Sequence, residues 1–506
     1  MKQKLPILGI LCLGLLLRLY FFVGPGYTDD IDYIYIAYHA LTHHGISLAF
    51  LNSTDLNAQR LMTVLPLAVC FKLFGFNETS AVIYNISCSI GCILLTYLIA
   101  RKSLGEKTGL LAALFYAVFP LDLYYSTQVG GDIPVAFFAL LGVYLLMEDY
   151  CFMAGIAWGV SAVTKENGLL FFFIFLAYLS AKKLNWKSAK QIISGFFLIM
   201  LAELFIFYLY TGNPFHYLKI YESTQSIMQG ETSLFYLPKY LLHAFIPNFK
   251  TEGGLMGLSP FFVFSFFLSE YRKKTWTQNG FILFFFLWIL FTVGYLEFGV
   301  MTITFHPILK WIRYWTILIC PITILIARGI LRLDKKVSLI LAILFILDSI
   351  WISYGNITWT RLQLAYDQEP YRVLKSLPRK KIYINQEFLG RLQLYSKGRW
   401  KVLPFISHLH LKNMADSYAL IFPALLDKKY ERLPSFLYHI PKNWKFLGWM
   451  KPPGENLRPL RQIFKLYFIP PNKTAPSESE KKKPTVFNRS KFRLPISSFF
   501  LKARNL

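Results

Sequence analysis

The stretch LPILGILCLGLLLRLYFFVGPGYTDDIDYIYIA, residues 5–37, sets two adjacent aspartates, Asp29 and Asp30, a few residues beyond an apolar run that ends at Val23. A run of this length is about what a helix needs to cross a bilayer. Carboxylates close to hydrocarbon are costly, about 2.5–3.5 kcal/mol each at mid-membrane, so they tend to face a cavity and take part in chemistry. A third such group, Asp132, stands between two later apolar runs.

Of the 506 residues, 55% are hydrophobic and 18% aromatic, and 16% charge is too little to cover a soluble protein of this size. The composition therefore implies an α-helical polytopic membrane protein. The Lys2 and Lys4 start before Leu5 is expected to be a retained first helix, because no small-residue cleavage site follows. The six cysteines lie in or beside apolar runs, which argues for packing and against a disulfide framework.

Apolar runs at about 5–23, 79–100, 108–127, 133–147, 152–164, 168–181, 191–210, 255–269, 279–298, 313–331 and 336–354 give about 11 expected spans. If these alternate, the basic loops at Arg101-Lys102, Lys182–Lys190, Arg272–Lys274 and Arg332–Lys336 all fall on one side, which is then cytoplasmic. The first outer loop, 24–78, the Asp132 turn, the Lys165-Glu166 turn and the C-terminal domain then face outward. The run 61–76, with Pro66 and Lys72 inside it, is expected to be an interfacial or re-entrant helix on that outer face. The division expected is a membrane part, 1–354, a small extracytoplasmic α/β domain, 355–469, and a basic flexible tail, 470–506. Residues 355–506 carry 29 Lys and Arg against 9 Asp and Glu, most of the chain's net +26, which suits anionic lipid head groups or an anionic acceptor. No phosphate-binding Gly-rich loop, H-E-x-x-H or nucleophile elbow is present, and no nucleic-acid partner is expected.

Asp29-Asp30-Ile31-Asp32-Tyr33 through Ala37 resembles the D-[DE]-x-x-Y-x-x-x-A start of the first outer loop in polyprenyl-phosphate-dependent glycosyltransferases of the GT-C fold. These include protein O-mannosyltransferases and the aminoarabinose transferase of lipid A. Further landmarks follow in that family's order: Phe74-Gly75, Tyr125-Ser126 to Asp132-Ile133-Pro134, Thr164-Lys165-Glu166 and Arg313-Tyr314. The resemblance covers about residues 5–354.

It implies an inverting transfer of a sugar from a lipid-linked phosphate to an acceptor hydroxyl of a lipid, glycan or protein, at the outer face of the cytoplasmic (inner) membrane. Asp29 would be the general base, with Asp30 as a helper or helix cap and Asp32 solvated. Asp132 would orient the first loop or ligate a divalent metal ion, for which Asp29, Asp132 and His306 are candidate ligands, with His216 and Glu222 able to complete a set. Arg60, Lys165 and Arg313 would meet the phosphate, and Tyr33 and Tyr314 the sugar or the prenyl chain. Arg60-Leu61-Met62 stands where the family more commonly has Lys-Pro-Pro. Two other readings stay open: a transporter or flippase of lipid-linked saccharides, and a non-enzymatic subunit of an envelope complex.

Overall fold

The computed structural model of the chain describes residues 5–26, 28–42, 45–181, 185–227, 246, 254–273, 280–298, 312–384, 392–396, 399–404, 414–421, 440–450 and 464–471. Helix α1, Leu5–Tyr20, leads into a loop and helix α2, Thr28–Ala40. After a two-stranded hairpin of β1, Leu41–Thr42, and β2, Gly45–Ile46, comes α3, Leu61–Phe74. Pro66 inside α3 has no N–H to give to the carbonyl of Met62 four residues earlier, and the Tyr84 hydroxyl donates to that oxygen instead, at 3.1 Å. α3 ends at Gly75, whose φ of 78° favours glycine. Asn77 then opens α4, Glu78–Leu104, with a capping box closed by Ser80.

The membrane bundle continues with α5, Glu106–Ala117, α6, Pro120–Tyr125, α7, Asp132–Met147, α8, Cys151–Thr164, α9, Phe171–Ala181, and α10, Trp186–Thr211. Beyond α11, His216–Ile227, lie α12, Ser259–Lys273, α13, Gly280–Phe298, α14, Ile319–Ile330, and α15, Lys335–Lys375. Four helical stretches among the described residues are long and apolar enough to cross a membrane: Glu78–Leu104, Trp186–Thr211, Ile312–Ile330 and Lys335–Arg361. The apolar run at 108–127 is two helices, because Pro120 cannot continue α5 and instead starts α6 at a favoured position. The late run at 313–331 enters through a 3₁₀ segment, Ile312–Leu318, before α14.

The bundle core is rich in large aromatics, with Trp158, Trp288, Phe115 and Phe345 fully buried. α8 and α10 cross at glycines: a Cβ on Gly155 would lie 2.0 Å from the Ile192 carbonyl oxygen, and one on Gly195 would lie 2.2 Å from that of Phe152. Arg18 near the end of α1 pairs with Asp122 of α6 and donates to Ser89 of α4 at 2.6 Å. Farther along, Arg361 of α15 donates to the carbonyls of Tyr20 and Phe22, at 2.5 and 2.9 Å. The Val23 amide donates to Thr127 at 3.1 Å. These bonds fix where the chain leaves the bundle on its way to Asp29.

The polar composition that begins at Gly355 starts inside α15, which runs on unbroken to Lys375. It feeds a five-stranded sheet of β3, Lys381–Ile384, β4, Val402–Pro404, β5, Ser417–Ile421, β6, Lys445–Met450, and β7, Phe464–Ile469, in the order β4-β3-β5-β7-β6. β3 is parallel to β4 and β5, whereas β7 is antiparallel to β5 and β6. Most of the segment read as a tail, 472–506, lies outside the described residues.

Candidate active site

Five parts of the chain bring charge to one place, one of them Arg60 at the start of α3. α2 carries Asp29 and Asp30 in its first turn, where the helix dipole favours carboxylates. α7 begins at Asp132, and the loop before it is held by Asn85, which donates to the carbonyls of Gln128 and Gly130 at 2.7 and 3.1 Å. The turn after α8 carries Lys165, Glu166 and Asn167 in a 3₁₀ segment, Glu166–Leu170. That turn folds back tightly, since a Cβ on Gly168 would lie 2.0 Å from the Ser161 carbonyl oxygen. The 3₁₀ segment ahead of α14 supplies Arg313 and Tyr314.

The contacts form one network. Arg313 Nη2 donates to Asp29 Oδ2 at 2.8 Å, and its Nε lies 3.7 Å from Asp132 Oδ2. Lys165 Nζ meets both oxygens of Asp132, at 2.9 and 2.8 Å, and Asn167 donates to Asp132 Oδ1 at 2.9 Å. Thr316 donates to the backbone carbonyl of Asp132 at 3.2 Å. The Lys165 ammonium sits 5.2 Å from the centre of the Tyr314 ring, within cation–π range. Arg60, at the start of α3, donates to both oxygens of Glu166, to the Tyr33 hydroxyl at 2.5 Å and to Asn57 Oδ1 at 2.8 Å.

Burial sorts these groups. Lys165 and Asp132 are 2% and 5% exposed, while the Asp29 side chain keeps 35% of its surface open. Burial pulls the Asp29 carboxyl upward, but Arg313, with Lys165 and Arg60 behind it, holds it net below its ordinary value. Asp29 is therefore ionised at neutral pH. Burial pushes Asp30 up to about 7, with the neighbouring Asp29 charge adding to it, although its Oδ2 accepts from the Gly26 amide at 2.9 Å. Lys165 is pulled down to about 8 by burial and by Arg313, against the attraction of Asp132. Asp32 is not solvated: it is half-buried and faces Asn57 at 3.4 Å, and burial with the Asp55 charge raises it well above its ordinary value.

Seven of the eight residues expected to bind or react thus come together, whereas Asp30 turns its carboxylate to the Gly26 amide. Glu166, Asn167, Asn57 and Tyr217, whose hydroxyl lies 3.3 Å from Glu166 Oε2, belong to the network without having been singled out. Glu166 was within reach as the last residue of Thr164-Lys165-Glu166; Asn57 and Tyr217 carried no signal of their own.

Residues 61–210 match the family described as dolichyl-phosphate-mannose-protein mannosyltransferase. That stretch holds Asp132, Lys165 and Glu166, but neither Asp29 nor Arg313. Two solved structures are similar in fold over most of the chain. ArnT from Cupriavidus metallidurans bound to undecaprenyl phosphate aligns over 91% of this chain and 97% of its own, with a TM-score of 0.59 at 13% identity. The same protein in the apo state aligns over 92% and 98%, with a TM-score of 0.60 at 13% identity. The chain has the GT-C fold. A curated relative, an uncharacterized protein from Aquifex aeolicus (strain VF5), is 27% identical over 130 residues, which is 23% of this chain. The chain spans about a quarter of that relative's length, 26%.

The GT-C frame leaves the metal question to the residues themselves. Asp29 and Asp132 both face the Arg313 guanidinium, so a cation of the protein already stands where a divalent ion would bridge them. Among the described residues no three His, Cys, Asp or Glu side chains are grouped to hold a metal. His216 packs its ring 6.4 Å from that of Phe207, and Glu222 is exposed. His306 lies outside the described residues. The described donor set does not fit a metal cage.

Proposed function

We propose that the protein transfers a sugar from a polyprenyl-phosphate-linked donor to an acceptor hydroxyl at the outer face of the cytoplasmic membrane, with Asp29 as general base. The acceptor oxygen attacks the anomeric carbon opposite the phosphate while its proton passes to an Asp29 oxygen. The bond between the anomeric carbon and the phosphate oxygen breaks, and its electron pair leaves with polyprenyl phosphate. The sugar is inverted. Lys165 and Arg313 stabilise the charge that gathers on the phosphate, and because they are buried their fields are little screened. Tyr314, buried under Lys165, holds that ammonium in place beside Asp132.

The observation that carries this reading is the gradient across the network: an ionised carboxylate with 35% of its side chain open stands one guanidinium away from a carboxylate–ammonium pair that is 7% and 2% open. A base must reach an acceptor arriving from outside, and the cations must sit where water is excluded.

The test is transfer from labelled polyprenyl-phosphate sugars into envelope acceptors, using the full-length protein in membranes. Asp29→Asn is expected to lower transfer about 10²–10⁴-fold, the range of a lost general base, while still inserting normally. Transfer that persists in Asp29→Asn removes the base assignment. Wild-type membranes that move donor between leaflets without transferring it make the protein a carrier.

A further inference from the structure

Arg60 and Glu166 form the part of the network that the transfer step leaves unused. Glu166 lies across one edge of the guanidinium, with contacts of 3.1 Å from Nε and 2.7 and 2.9 Å from Nη2. The other edge is taken by Tyr33 and Asn57. The side chains of the pair are 6% and 10% exposed, so solvent offers neither an easy alternative partner. Two carboxylate oxygens on a guanidinium edge occupy the positions that two oxygens of a phosphate take in a bidentate contact.

The cluster as a whole sets three cations, Arg60, Lys165 and Arg313, against three carboxylates, Asp29, Asp132 and Glu166. It has no surplus of positive charge with which to draw an anion. Asp132 is tied down by Lys165 and Asn167, and Asp29 is the group open to the outside. Besides Arg60, Glu166 has Tyr217 of α11, a longer contact from a separate helix.

We infer that Glu166 is an internal stand-in for the donor phosphate: it holds the edge of Arg60 that the phosphate takes on binding, and reclaims that edge as polyprenyl phosphate leaves. The inference rests on the reading of this site as one for a polyprenyl-phosphate donor. A sugar-linked phosphate diester carries one negative charge, whereas the departing monoester approaches two at neutral pH. The cations therefore grip the product harder than the substrate, and a carboxylate waiting beside Arg60 helps the product off. Glu166 in this role is a positioning residue for the phosphate site.

The experiment measures binding of undecaprenyl phosphate to the purified full-length protein, alongside donor KM and kcat. Glu166→Gln keeps the shape and removes the charge; it is expected to bind undecaprenyl phosphate about tenfold more tightly, with KM and kcat falling together. Glu166→Asp, too short to span the guanidinium edge, should shift the same quantities in the same direction by less. In an Arg60→Gln background the gain from Glu166→Gln should vanish. Equal or weaker binding in Glu166→Gln, with thermal unfolding unchanged, overturns the inference. A gain that persists without Arg60 also overturns it, because it then reflects net charge alone. If the wild-type protein binds no undecaprenyl phosphate, the donor reading fails and the inference falls with it.

Discussion

The pair of Arg18 and Asp122 in the helix bundle and the network around Asp29 use the same kinds of side chain, yet one is sealed and the other is open. Arg18 and Asp122 are each 0% exposed, and Ser89 and the Gly14 carbonyl close around them. The network around Asp29 joins more groups, draws them from more helices and leaves the Asp29 carboxylate partly exposed. Burying charge is costly in both places, but only the second keeps a carboxylate with 35% of its side chain open. A buried ion pair in a membrane protein is thus weak evidence for chemistry by itself. The path from that pair to the outside is what separates a fastener from a site.

The difference can be broken by mutation. Arg18→Met leaves Asp122 as an unpaired buried charge and should cost about 3–5 kcal/mol of stability, with transfer per folded molecule retained. Detergent or thermal unfolding checks it, and Asp122→Leu added to Arg18→Met should recover much of the loss. Lys165→Met also strips a buried carboxylate, Asp132, of its closest cation and should lose stability, but unlike Arg18→Met it should in addition cut transfer per folded molecule about 10²–10³-fold, as a lost electrostatic stabiliser does. Comparable loss of stability and transfer in both variants would erase the distinction.

pH sharpens it further. With Lys165 lowered to about 8, the free enzyme loses that positive charge as pH rises through this value, so undecaprenyl phosphate binding should weaken above about pH 8. The same titration in Lys165→Arg should stay flat across that window. The smallest effect belongs to Asp30, raised to about 7 from the carboxylate value of 3.8. Between those values the folded state holds a proton that the unfolded chain has lost, so stability declines as pH rises from about 4 to about 7 and then levels. Asp30→Asn should remove this slope, and its melting temperature relative to wild type should climb by about 4 °C over the same range.

The order of the outer groups was legible because short motifs carry them: Asp29 with Tyr33, Asp132 before Pro134, Lys165 after Thr164, and Arg313 beside Tyr314. Their pairings were not. Arg60 meets Glu166 across 106 residues and Arg313 meets Asp29 across 284, and no local pattern encodes such partners. Arg18 and Asp122 escaped notice because each stands alone in a run whose apolar character dominates the reading. Asp32 was read as solvated because alternation along α2 says nothing of Asn57, which folds over it from the next segment.

At 41 residues and about 1.5 Å per residue, α15 is a rod about 60 Å long, anchored in the bundle at one end and carrying the sheet at the other. Partway along, Arg361 grips the last carbonyls before the loop that delivers Asp29, and Thr360 touches Tyr124 at 2.9 Å. One helix thus joins, through consecutive residues, the sheet that follows it and the last turn before the loop that carries Asp29, so the two ends of the chain share a single structural member.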